Sequence, residues 1–238
     1  KKKRDEGAEK MLLETSITGN NLGKPHLWLK GRSTYSRRAL KNGKREIAYK
    51  IASEHFVDLS DPQFGKGASD LEWLSGFIAF EFFKEYKRAL NHFQRFSKLV
   101  VNPINKAKAA YWLGRSYEKL KEKNKMREAY AVGAKYQTTF YGLLSAERGD
   151  FSVDSALVSS YDRHEWENEA FMDSDVVKAA ILLYYSGRSV LADRFFNHAS
   201  ENLTQSDRLK LSQLTHDLEL KASGVSIAKT AGQEGIFC

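Results

Sequence analysis

Few residues in this chain stand in groupings that could do chemistry. Glu54-His55 sets a carboxylate beside an imidazole, the pair that proton transfer needs. Neighbouring helix positions point about 100° apart, so both would serve one substrate only if tertiary structure turned them into one cleft. His164-Glu165 opens like a zinc-protease motif, but Asn168 stands where the second histidine belongs, and a surface acidic cluster is the expectation. His92 falls on the polar face of its helix and reads as a solvated histidine. Tyr111, Trp112, Arg115 and Tyr117 combine aromatic faces with a guanidinium, a set that can stack on sugars or bases. Tyr111 and Trp112 fit core packing, whereas Arg115, on the polar edge, is the candidate ligand contact.

Other reactive patterns are missing from the sequence. Gly65-Lys66-Gly67 lacks the spacing of a phosphate loop, and no Gly-x-Ser-x-Gly nucleophile elbow occurs. The single cysteine, Cys238, offers neither an internal disulfide nor a cysteine metal site. No catalytic residue, metal ligand or cofactor is expected.

The bulk composition is that of a folded chain: 238 residues, 42% apolar and 29% charged, enough to bury a sizeable core. No run of 18 apolar residues occurs, so no transmembrane segment is expected. Lys1-Lys2-Lys3-Arg4 is followed only by Met11-Leu12-Leu13 as an apolar stretch, too short for a signal peptide within this chain. The net charge of +8 gathers at Lys1–Arg4, at Arg37, Arg38, Lys41, Lys44 and Arg45, and from Lys119 to Arg127. Such a balance suits an anionic partner. Interleaved acids favour solvated faces instead, and nucleic acid, resting on charge alone, is not the expected partner.

The elements that must position these residues are helices. The head, 1–32, reads as poorly ordered or partly helical. From Ser33 the apolar period is helical, with Ala48, Ile51 and Ala52 in one stripe, until Asp58 to Gly67 breaks it. Leu71, Leu74, Phe77 and Ile78 mark a broad apolar helix, and Ala89, Leu90 and Phe93 mark the next. Asn102-Pro103 supplies an N-cap and a first-turn proline. The helix that follows is apolar on two sides, so it needs cover on two sides. Trp73-Leu74-Ser75-Gly76 recurs loosely as Trp112-Leu113-Gly114, each followed by a helix with a spaced aromatic, Phe93 or Tyr130. Gly187, with Ala192 and Phe196, begins a third copy. Repeats of this kind predict an all-α chain: a right-handed superhelix, or solenoid, of stacked antiparallel helix pairs of tetratricopeptide type. The superhelix is expected over 33–148, an irregular connection over 149–170, further helices of the same superhelix over 171–224, opened in part by a Thr204 cap, and a tail over 225–238. No strand pattern of useful length appears.

Three segments carry a closer likeness. Leu71-Glu72-Trp73-Leu74-Ser75-Gly76-Phe77-Ile78-Ala79, the run from Asn102-Pro103 through Ala109-Ala110-Tyr111-Trp112-Leu113-Gly114-Arg115, and Tyr136-Gln137-Thr138-Thr139-Phe140-Tyr141-Gly142-Leu143-Leu144 together resemble the α-superhelical region of soluble lytic murein transglycosylases. The resemblance runs from about Ala48 to Ala146 and more weakly to about Lys221. It departs at Gln137, where the family usually has proline, and at Leu143, where it usually has glutamine.

The resemblance implies a periplasmic protein whose partners are the glycan strands of peptidoglycan. The family cleaves these strands to 1,6-anhydromuramoyl ends, one glutamate acting as acid and then as base. That glutamate lies in a lysozyme-like domain after the superhelix, in a Glu-Ser-x-Phe context. This chain contains no such context, so a catalytic domain encoded downstream is the expected partner, and the chain itself the non-catalytic support. Tyr141 of the third segment joins Arg115 as a candidate ligand contact. The alternative is a helical-repeat adaptor that binds a protein.

Overall fold

The structure, a computed structural model, describes residues 2–15, 23–61, 63–154 and 163–233. The stretch Gly19-Asn20-Asn21, Pro62 and Cys238 lie outside them. The described residues form helices joined by turns and irregular segments and contain no strand, so the chain is all-α. Contacts divide it into two units, 1–152 and 153–238, and the division falls within the stretch that the sequence marks as irregular.

In the first unit the α-helices are α1 (Lys2–Thr15), α2 (Leu29–Lys41), α3 (Arg45–Ser53), α4 (Ser69–Ile78), α5 (Tyr86–Leu99), α6 (Pro103–Lys119), α7 (Lys123–Ala134) and α8 (Phe140–Gly149). Each from α2 onward packs on the next, and α6 also reaches α8. α4 runs on through a π-helical turn, Ala79–Phe83, which ends at Lys84 in the left-handed region (φ 59°). One capping signal acts as the sequence implies, and the structure adds a second at Thr139. The Asn102 side chain accepts from Asn105 N, with Pro103 in the first turn, and Thr139 accepts from Gly142 N at the start of α8.

Close approach of helices explains the repeated glycines. A Cβ on Gly76 of α4 would lie 2.6 Å from Phe93 Cε1 of α5, and one on Gly114 of α6 would overlap the Tyr130 ring of α7. Phe93 and Tyr130 are fully buried. The absence of a side chain in the first helix of each pair is therefore what admits the aromatic of the second. Ala79, Phe80, Ala89, Phe93, Tyr111, Trp112 and Tyr130 make one continuous core.

The second unit holds α9 (Asp175–Tyr185), α10 (Ser189–Ser200), α11 (Gln205–Asp217) and α12 (Lys221–Gln233). Val177, Ala180, Ala192, Phe196, Leu211, Leu214 and Ile227 form its core. Thr204 caps α11 by accepting from Asp207 N, as expected. Gly187 departs from its counterparts. It sits at φ 77° in the turn before α10, and Ala180 holds the offset from Phe196 that Gly114 holds from Tyr130.

Helix extends beyond what the pattern marks in the expected tail, and the head is helical in part. α1 lies within the expected head, and α12 continues through Gly224 into the expected tail. Gly224 N donates to Leu220 O (3.1 Å), and its Cα side faces Thr215 Oγ1 of α11, 3.3 Å from where a Cβ would stand. This glycine serves helix contact instead of ending a helix.

Candidate functional site

The two ligand candidates, Arg115 and Tyr141, meet around Tyr111. Arg115 follows Tyr111 by one helical turn on α6, so their side chains share a face, and Arg115 Nη1 donates to the Tyr111 hydroxyl (3.0 Å). The Tyr141 ring of α8 lies 5.3 Å from that of Tyr111, and the exposed Phe140 stands edge-on to Tyr141 at 5.2 Å. Arg148, in the last turn of α8, brings a second guanidinium, 5.9 Å from the centre of the Tyr111 ring. A cation there also suits the helix C-terminus.

One carboxylate stands among these groups. Glu118 Oε2 accepts from the Tyr130 hydroxyl (2.9 Å) and from Arg148 Nη1 (3.3 Å). Arg115 Nε is 3.9 Å from the same oxygen, too far for a hydrogen bond, and has no other acceptor. Burial, with Glu118 beside it, raises the Tyr130 pKa well above the usual phenol value, so Tyr130 stays a neutral donor. Burial would lower the Arg148 pKa, but Tyr111, Tyr130 and Glu118 outweigh it and raise it. The arrangement is a part-exposed patch with two guanidiniums, phenol hydroxyls and one acid. It can bind an anion or a hydroxylated ring, and it holds no nucleophile–base pair.

Trp112 is core. It stacks on Phe93 at 5.4 Å and meets Phe77, Phe80 and Trp73 edge-on. Tyr111 is buried too, as expected, although its hydroxyl edge reaches the patch. Tyr117 belongs elsewhere: its hydroxyl accepts from Gln94, and Lys125 lies over its ring. Trp73, half-buried, is covered by Lys108, whose ammonium sits 3.3 Å from the ring centre. Burial lowers the Lys108 pKa to about 8 despite nearby Asp70.

The sequence reading missed a second polar cluster, and His92 is its correction. His92 is not solvated but 4% exposed, because α5 turns it toward Glu72 of α4. Its Nδ1 lies 2.6 Å from Glu72 Oε2 and its Nε2 lies 2.8 Å from the Tyr49 hydroxyl of α3. Glu72 Oε1 accepts from Arg95 Nε (2.8 Å) and pairs with His55 Nε2 (3.2 Å). His55 Nδ1 accepts from Val57 N, which leaves the proton on Nε2 for Glu72. His55 thus partners Glu72, not its neighbour Glu54. Burial would raise the Glu72 pKa, but hydrogen bonds from His55, His92 and Arg95 outweigh it and hold the carboxyl far below its ordinary range. Glu72, His55 and His92 are engaged with one another within the core, so the cluster ties α3, α4 and α5 together. A buried acid three residues after Ser69, a histidine in the chain after α3 and another on α5 carry no shared spacing that sequence alone could have flagged.

His164 and Glu165 lie in non-helical chain, so the helical face that a zinc-protease motif needs is not formed. Among the described residues no group of three or more histidine, cysteine, aspartate or glutamate side chains is placed to hold a metal. None of their helices is long and apolar enough to cross a membrane. The chain matches no family model, no curated protein and no solved structure.

Proposed function

We propose that this chain is the non-catalytic superhelical region of a periplasmic lytic murein transglycosylase, holding glycan strands for a lysozyme-like domain. The observation that carries the reading is the register of its three characteristic segments. They fall on α4, on α6 and on the turn into α8, helices that pack in sequence, with α5 and α7 between them. The matched pairs Gly76–Phe93 and Gly114–Tyr130 support stacked helix pairs, the unit from which a right-handed superhelix is built. Gln137, at the position of the family's proline, donates Nε2 to Ser152 O (2.9 Å). The departure thus supplies its own tether to the chain after α8.

The role assigned to the chain is binding, and net charge sets how it binds. A positive surface facing a polymer that carries stem-peptide carboxylates attracts it, and salt screens the attraction. Sedimentation with purified murein sacculi tests this, with a basic protein of similar size as control. Binding above the control at low salt, weakened at high salt and without release of anhydromuropeptides, is the expected result. Binding no better than the control would overturn the reading in favour of a protein adaptor.

A further inference from the structure

Resting on that reading, we infer that Arg115, Arg148 and Tyr111 form a binding site for a carboxylate displayed on the polymer, with Glu118 as an internal competitor. The contrast with Arg37 carries the point. Arg37 grips Asp70 with both ends of its fork, Nη1 to Oδ2 (2.8 Å) and Nη2 to Oδ1 (2.7 Å), the paired geometry that best satisfies a guanidinium. Neither arginine of the patch is satisfied in this way. Arg115 makes one hydrogen bond, from Nη1 to a neutral phenol; its Nε has no acceptor but is buried, so only the terminal nitrogens can meet a ligand. Arg148 touches Glu118 through one nitrogen at 3.3 Å and otherwise meets only the neutral Tyr111 hydroxyl.

Glu118 explains why the patch stays poised. Both of its contacts, to Tyr130 and to Arg148, use Oε2, so one carboxylate oxygen partly neutralises two guanidiniums. Two cations against one anion leave a net positive site, which an acid can meet through the terminal guanidinium nitrogens, the Arg115 Nε edge being buried. Arg115 is held by its tyrosine and by the ring of Phe80, 5.4 Å from its guanidinium carbon, so little side-chain freedom is lost on binding. The exposed Phe140, beside Tyr141, extends the patch with an apolar edge on which a sugar ring adjoining the acid can rest.

The test uses the full chain and its Glu118→Gln, Arg148→Gln and Glu85→Gln variants. Glu85 pairs with Arg88 away from the patch, so its variant changes net charge as Glu118→Gln does. Glutamine at position 118 can still accept from Tyr130. Two probes are titrated: soluble poly-glutamate, and sacculi before and after their carboxyl groups are converted to amides. Glu118→Gln is expected to bind poly-glutamate and native sacculi about three- to fivefold more tightly than Glu85→Gln, the scale of one exposed charge contact. Arg148→Gln should weaken binding by a similar factor, and amidated sacculi should abolish the differences. If Glu118→Gln and Glu85→Gln bind both probes alike, the carboxylate site is wrong. If native and amidated sacculi are bound equally by all variants, the site is wrong while murein binding stands. If only poly-glutamate separates the variants and sacculi are not bound, the site stands and the murein reading fails.

Discussion

Replacing Glu72 by alanine removes the acceptor at the centre of three charged hydrogen bonds, and the structure sets the size of the loss. Glu72, His55 and His92 are 3%, 5% and 4% exposed, so neither imidazole can replace the carboxylate with water. Arg95, with its side chain 42% exposed, can turn outward at little cost. Two stranded buried donors, at about 1–3 kcal/mol each, are offset in part because a buried charge no longer has to be desolvated. The net expectation is a loss of about 3–5 kcal/mol, the range for removing one partner of a buried pair. The pH dependence follows from linkage. The folded-state pKa of Glu72 lies below its ordinary value of 4.5, so its contribution is complete above that pH and fades as pH falls through and below it. Urea unfolding, followed by fluorescence with Trp166→Phe in the background, reports on Trp28, Trp73 and Trp112 of the first unit. The gap between Glu72 and alanine at position 72 should be widest near neutral pH and narrow toward pH 3. A difference under about 1 kcal/mol at neutral pH, or a gap that widens in acid, would refute the reasoning.

Further expectations can be checked in the same way. Gly76→Ala and Gly114→Ala each push a Cβ into a buried aromatic ring and should destabilise the first unit by about 1–3 kcal/mol despite alanine's better helix propensity; unchanged urea midpoints would show that the helix pairs are loosely packed. Trp112→Ala empties a site walled by Phe77, Phe80 and Phe93 and should cost about 3–5 kcal/mol, more than Trp73→Ala, whose ring is only half-buried under Lys108; the reverse order in melting temperatures would contradict the assignment of Trp112 to the core. In the second unit, burial would raise the Asp217 pKa, but hydrogen bonds from Trp166, Gln213 and Arg163 hold it down to about 2. Its stabilising contribution should therefore be complete above pH 3.8 and fade as pH falls from there through about 2, and Asp217→Asn should remove that dependence from a Trp166 fluorescence titration.

The sequence by itself determined that the chain is helical, where several helices begin, and which glycines repeat. These features are local. A 3.6-residue apolar period, Asn102 before Pro103, and Thr204 three residues before Asp207 act within one or two turns. It also offered Arg115 as a ligand candidate, since a guanidinium on the polar edge of an aromatic helix is visible in a helical projection, while Tyr141 came from the likeness of the third segment. Tertiary structure alone decided what those residues meet. Whether His92 faces water or Glu72 depends on which side of α5 the neighbouring helices cover, and no period within α5 states that. The same holds for Gly224, which reads as a stop until α11 is seen 3.3 Å from its missing side chain. Glu118 joins Arg148 and Tyr130 from three different helices, residues whose separation in the chain hides their contact. Periodicity tells which face of a helix is apolar; only packing tells which polar residue that face buries with it, and there lie both the clamp around Glu72 and the two-arginine patch.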